Sequence, residues 1–242
     1  MVNINITTTA TLRPELLDRT YNSFCNNLFG SKPSNCRLII NIDPVGGNYS
    51  KYDVLDVAHK YFDYVTYNVS KEPSFPKAWK WCWDQVNSGF VFHLEEDWEL
   101  LRPVQIEDMM SILDRNKHLA TLRMLKMNVP GNLTFFRSKY LVKDGFLQAQ
   151  DRSVSFGGNP QLIKGVFVEQ ARKYLLVDRN PEKQFRVTSP DLWENVVSKW
   201  DYGVYTREGY GALVKDIGRE WRRKHGFDKA GGAGFTTWEK IK

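Results

Sequence analysis

Three acids in a row, Glu95-Glu96-Asp97, follow directly on the apolar run Phe90-Val91-Phe92-His93-Leu94. A run of that kind reads as a buried strand. Carboxylates at the tip of a buried strand are costly unless something compensates them. A hard divalent cation, which takes oxygen ligands, is the simplest compensation. Alternation along an extended chain puts Glu95 and Asp97 on one side and Glu96 on the other. The residues therefore suggest a central strand that delivers Glu95 and Asp97 to a metal at its C-terminal mouth. The bland alternative is a solvated turn or a helix start, where acids are common.

Such a strand needs a sheet, and the preceding chain offers one. Val2 to Thr9 reads as a first strand, Ala10 to Arg13 as a loop, and Pro14 suits the first position of a helix. Leu16, Leu17, Tyr21, Phe24 and Leu28 then share one helical face, and Gly30 ends it. Arg37 to Ile42 is a second strand that closes into the loop Asp43-Pro44-Val45-Gly46-Gly47. Strand, helix, strand without a hairpin signal is a βαβ unit and predicts a parallel sheet. A helix over Asp53 to Phe62, a strand over Tyr64 to Val69 and a helix over Lys77 to Val86 follow. Trp79 and Trp83 on that last helix read as core.

Ile106, Met109, Met110 and Leu113 mark a further helix, and Thr121 to Met127 a further strand. Periodicity weakens after Val129. The spacing there predicts helices over Gln161 to Tyr174, Asp191 to Lys199 and Leu213 to Lys224, the last carrying Gly218. Ser189-Pro190 opens the second of these as a cap followed by proline. Val204 to Thr206 is a short strand, and Gly231-Gly232-Ala233-Gly234 a glycine-rich tail. No internal repeat and no linker divides the chain.

Composition fits one core-bearing domain. The 242 residues are 42% hydrophobic and 14% aromatic, which excludes a disordered chain. A net charge of +6 favours anionic partners such as nucleoside diphosphates, nucleic acid or an acidic membrane surface. Cys25, Cys36 and Cys82 are odd in number and lack zinc-ligand spacing, so free thiols are expected. No run of about 18 apolar residues predicts a membrane span, and no stretch reads as a secretory signal. The expected location is cytoplasmic, the host's if the protein is viral.

Taken in order, these features resemble the glycosyltransferases of the GT-A fold, in particular small family-2-like members of phage and bacterial type. The sharpest motif is Phe92-His93-Leu94-Glu95-Glu96-Asp97-Trp98, which looks like the Asp-x-Asp metal motif written as Glu-x-Asp. The resemblance implies an α/β fold with a mixed, mostly parallel Rossmann-type sheet flanked by helices. It implies a single domain over 1–242, with a nucleotide-sugar half at 1–127 and an acceptor half and C-terminal lid at 128–242. It implies Mn2+ or Mg2+ held by Asp97, with Glu95 contacting metal, water or ribose. Thr8, Arg13 and Asp43 fall where relatives bind the nucleotide, Lys77 where it would meet the diphosphate, and Arg219 and Arg222 where a late basic motif holds phosphates. His225 stands as a possible late metal ligand against a surface histidine. Glu194 and then Asp191, three apart on one predicted helical face, stand as the general base against a solvated helix start.

The implied function is transfer of a sugar from a nucleotide-sugar donor to an acceptor hydroxyl. The acceptor is either a hydroxymethylated pyrimidine in phage DNA or a saccharide. A nucleotide-binding module without catalysis is the alternative of another class. A nucleotidyltransferase is a weaker enzyme reading, because Thr7-Thr8-Thr9-Ala10 offers no glycine-rich basic loop.

Overall fold

A computed structural model describes residues 4–87, 89–126, 139–151, 156–230 and 237–240. Most of its strands belong to one nine-stranded sheet in the order β3-β2-β1-β4-β9-β6-β10-β8-β7. The first half builds the parallel part from β1 (Ile4–Leu12), β2 (Cys36–Gly46), β3 (Val65–Val69) and β4 (Phe90–His93). The pairings β1 with β2, β2 with β3 and β1 with β4 are all parallel. Their C-terminal ends therefore lie at one edge of the sheet, where ligands bind in open α/β folds.

Alternation along these strands fills both faces. Leu38, Ile40 and Ile42 pack into one apolar cluster and Ile39 into the other; Phe92 and Val91 divide in the same way. Helices α1 (Pro14–Phe24) and α2 (Lys51–Tyr61) cover the first face and α3 (Phe75–Asp84) the second. Trp79 and Trp83 of α3 are fully buried. Both faces are covered, as parallel sheets require.

The second half departs from its predicted helices. Gln161–Lys164 is not helical; it is β9, antiparallel between β4 and β6 (Leu119–Arg123). Leu162 and Ile163 are buried on opposite faces, so two-sided burial overrides the helical spacing. The helix that follows, α5, runs only from Gly165 to Ala171, after α4 (Ile106–Arg115). The expected helix from Leu213 divides into β11 (Val214–Asp216), paired with β5 (Trp98–Leu100), and α8 (Gly218–His225). Asp216 causes the break: its carboxylate accepts from the Gly218 and Arg219 N–H groups at 3.0 and 3.3 Å and caps the new helix.

The expected helix over Asp191–Lys199 is α7 (Pro190–Asn195), which ends at Val196 before a short 3-10 turn. A two-sided capping box at Ser50 and Asp53 starts α2 two residues earlier than expected. Short α6 (Pro181–Gln184), strands β7 (Tyr140–Lys143), β8 (Phe146–Ala149) and β10 (Asp201–Tyr205), and the ribbon of β12 (Phe227–Ala230) with β13 (Thr237–Lys240) complete the chain. The glycine-rich tail at 231–234 and the end of the expected strand at Met127 lie outside the described residues.

All three cysteines are buried and unbridged, and burial pushes the Cys25 and Cys36 thiols up to about 12. Among the described residues, no helix is long and apolar enough to cross a membrane.

His93, at the end of β4, is buried against Trp79 with ring centres 4.0 Å apart. Burial lowers its pKa from 6.5 to about 3. An unfolded chain takes up this proton below pH 6.5 while the native chain stays neutral until about pH 3. Protonation thus favours unfolding, and stability is lost as pH falls through that window. His93→Phe, which keeps a ring and cannot titrate, is expected to flatten the acid limb by on the order of a few kcal/mol. Urea denaturation of both proteins across that pH range checks it; parallel limbs would refute it.

Candidate active site

The C-terminal edge of the parallel strands opens into a cleft of about 560 Å³, within the range of small-molecule sites. Its floor is an ion pair. Arg13 donates to the Glu96 carboxylate through Nε at 3.0 Å and through Nη2. The Thr11 N–H and hydroxyl donate to the same carboxylate, each at 2.8 Å. Both charged side chains are 3% exposed. Burial raises the Glu96 pKa, while Arg13 and the Thr11 N–H pull against that shift. Arg13, set against Glu96 and Asp97, is held more firmly charged than usual despite its burial. The middle acid of the motif is thus compensated by arginine; β4 ends at His93 and Glu96-Asp97 form a turn, so the alternation expected of a strand does not extend to the acids.

Asp97 is fixed by three further contacts. Its Oδ2 lies 3.6 Å from Arg13 Nη2, and its carbonyl accepts from the Ile217 N–H at 2.9 Å. A Cβ on Gly218 would lie 2.7 Å from Asp97 Cγ and would collide with Oδ2, so only glycine lets α8 approach this closely. Helix α8 is held down through Trp221, whose indole donates to Glu15 at 2.6 Å and lies 5.0 Å below the Arg13 guanidinium. Arg219 and Arg222 of the same helix also line the cleft, and Arg219 is paired with Asp216 at 3.0 Å.

Asp43, at the end of β2, also lines the cleft. It accepts from the Asn41 side-chain amide at 3.0 Å and the Ser74 N–H at 2.9 Å, while burial raises its pKa. Thr8 is buried beneath the floor, and Thr9, Ala10 and Thr11 take the lining positions. Lys77 is exposed on α3 and outside the lining. His225 is exposed, its Nδ1 2.9 Å from the Trp221 carbonyl and its ring stacked on Trp221, away from the cleft.

Asp191 and Glu194 are likewise exposed on α7, outside the lining; the helix buries Leu192 in the core and leaves the two acids in solvent. Glu182 occupies the cleft instead. It projects from α6, which Asn180 caps by accepting from the Lys183 N–H at 3.3 Å. Its carboxylate accepts from the Gly158 N–H. A Cβ on Gly158 would meet Glu182 Oε1 at 2.8 Å and Glu95 Oε1 at 2.9 Å, so two carboxylates converge over one glycine. The Asn180-Pro181 cap signal was available in the sequence, but nothing local shows that Glu182 returns to Gly158.

Among the described residues, no group of three or more His, Cys, Asp or Glu side chains gathers as a closed metal cage. Glu95 and Asp97 both open on the cleft, at 22% and 15% exposure. One or two carboxylates suit a hard cation that keeps waters and shares phosphate oxygens with a substrate. The donor set fits such an ion and does not fit a structural metal.

No family model matches the chain, and no curated protein matches it. Solved structures do. S. aureus TarS 1-349 in complex with UDP-GlcNAc superimposes with a TM-score of 0.59 at 9% identity, over 86% of this chain and 57% of that one. The mannosyltransferase PcManGT from Pyrobaculum calidifontis, in complex with GDP-Man and Mn2+, gives 0.57 at 10% identity, over 86% and 58%. S. aureus TarS gives 0.57 at 10% identity, over 89% and 36%. The chain thus spans less than two thirds of the length of these structures.

Removing the floor has a defined cost. Arg13→Ala would leave Glu96 buried and unpaired, and a loss of about 3–5 kcal/mol is expected in urea denaturation. Exposed Asp191→Ala and Glu194→Ala should each stay within about 0.5 kcal/mol of wild type. A milder Arg13 loss, comparable to those two, would remove the ion pair from this structural role. The architecture itself is settled by the shared topology: this chain has a GT-A-like fold.

Proposed function

We propose that the protein is a metal-dependent glycosyltransferase that moves a sugar from a nucleotide-sugar donor to an acceptor hydroxyl. The observation that carries this is the cleft at the strand ends, lined by Glu95, Asp97, Arg219 and Arg222, where Glu182 meets Glu95 over Gly158. The solved structures of this fold, bound to UDP-GlcNAc and to GDP-Man with Mn2+, support the same reading. Asp43 lies beyond the floor at the end of β2, where its carboxylate can accept from a base N–H.

Charge supports a cation. Among the described residues, six acidic and four basic side chains line the cleft, and a dication would offset the excess of acids that a diphosphate meets there. When bound by Asp97 and Glu95, that ion neutralises charge developing on the departing diphosphate. Arg219 and Arg222, which line the same cleft, take up the rest of that charge.

Glu182 replaces Glu194 and Asp191 as the proposed base. The acceptor oxygen forms the new bond to the sugar's anomeric carbon while the bond from that carbon to the phosphate oxygen breaks. The hydroxyl proton passes to Glu182, and the electron pair leaves with the diphosphate. The Gly158 N–H fixes the carboxylate without a side chain that would fill the space above it.

A thermal-shift screen of UDP, GDP and CMP with Mn2+ and with chelator tests the donor half. One nucleotide at about 100 times its dissociation constant should add roughly 2.7 kcal/mol, with the gain abolished by chelator. Asp97→Asn should remove both this gain and transfer. Glu182→Gln is expected to keep nucleotide binding and lower transfer by about 10²–10⁴-fold, with Glu194→Gln unaffected. Full transfer in Glu182→Gln would refute its role, and nucleotide binding without transfer or donor hydrolysis in the wild type would make the protein a binding module.

A further inference from the structure

A second cavity of about 160 Å³ adjoins the cleft and shares Lys126 and Asn159 with it. Its floor is apolar, including Met124 and Leu147, and its polar wall is made by Arg123, Lys126 and Tyr140. Arg123 stands at the end of β6, a strand held between β9 and β10. Tyr140 is a hydrogen-bond partner of its guanidinium, yet the buried Nε has none among the described residues. Burial pulls against the Arg123 charge.

Glu182 is its acidic neighbour. A Cβ on Gly157 would sit 3.7 Å from Glu182 Oε1 and 3.8 Å from Arg123 Nη1, so the two groups flank one glycine. A buried cation is costly unless it is paired and its hydrogen bonds are met. Glu182 already accepts from the Gly158 N–H and faces the cleft. The cavity therefore combines two cationic side chains, an amide and a buried donor on an apolar floor, one glycine away from the proposed base.

We propose that this cavity is an acceptor subsite for an anionic group, a phosphate or carboxylate that an acceptor saccharide carries close to the hydroxyl it presents to Glu182. The word acceptor rests on the glycosyltransferase reading; the anion site does not. The cavity's size suits one such group held in a side branch of the cleft. Duplex phosphates, in contrast, run along an open surface in regular succession. Arginine serves a planar or tetrahedral oxyanion better than lysine does, which gives Arg123 the inner position and exposed Lys126 the outer one.

The test uses the full chain carrying Arg219→Gln and Arg222→Gln, which removes the cations of the diphosphate wall. Inorganic phosphate and sodium acetate are titrated separately by calorimetry at constant ionic strength. Saturable binding of either is expected, and the tighter one names the anion. Adding Lys126→Gln should weaken it about tenfold, the loss of one charged contact, while Lys126→Arg should retain it. Lys126 is exposed, so this variant is expected to fold even if Arg123→Gln does not.

No saturable binding of either anion, or binding unchanged by Lys126→Gln, would overturn the proposal. Duplex DNA that binds with a steep salt dependence and is released by Lys126→Gln would give the cavity to a nucleic-acid backbone and overturn the saccharide assignment. Failure of the donor reading is separately visible. In that case the wild type shows no nucleotide-dependent thermal shift, while anion binding still responds to Lys126→Gln.

Discussion

The ion pair between Arg13 and Glu96 joins segments that are far apart in the chain. Arg13 stands where β1 turns into α1, and Glu96 follows the central strand β4. Arg13 also reaches Asp97 at 3.6 Å and covers Trp221 of the C-terminal helix. One guanidinium thus fixes the acid-bearing loop, the start of the first helix and the basic wall of the cleft. Two buried charges are tolerable here because Thr11 supplies donors from both its backbone and its side chain, leaving little of the carboxylate unsatisfied.

That floor separates two tasks within one acidic motif. Glu96, at the floor of the cleft, is held by Arg13 and Thr11. Glu95 and Asp97 are left more open to the cleft. Asp97 keeps its place because Gly218 brings α8 against it, so the wall that carries Arg219 and Arg222 is built onto Asp97 by direct contact. The part of the cleft that carries Glu182 is organised by backbone in a similar way. Gly157 and Gly158 leave room for Glu95, Glu182 and Arg123 to converge, and the Gly158 N–H orients the carboxylate between them.

Much of the first half was legible in the residues. Apolar alternation and the lack of hairpin signals predicted parallel β1, β2, β3 and β4, and the buried Trp79 and Trp83 were readable as core. Boundaries were less so. Asp216 and the Ser50–Asp53 box reset two helices through hydrogen bonds that helical periodicity does not register. In the second half, Gln161–Lys164 follows helical spacing yet forms a strand, because a place between β4 and β6 rewards burial on both faces. The acids of α7 sit on a helix face that the fold leaves in solvent, outside the cleft, whereas nothing in the local sequence places Glu182 in it.

By itself, the sequence determined what depends on neighbours along the chain: the strand and helix periods, the proline and serine starts, and the apolar run that ends in three acids. Only the tertiary structure decided which charges meet. Arg13 with Glu96, Gly218 with Asp97, and Glu182 with Gly158 and Glu95 are contacts between residues distant in sequence, made by the sheet order and the return of α8. Charge and hydrogen-bond energies act over a few ångströms, and no pattern of spacing reports a distance that the folded sheet creates.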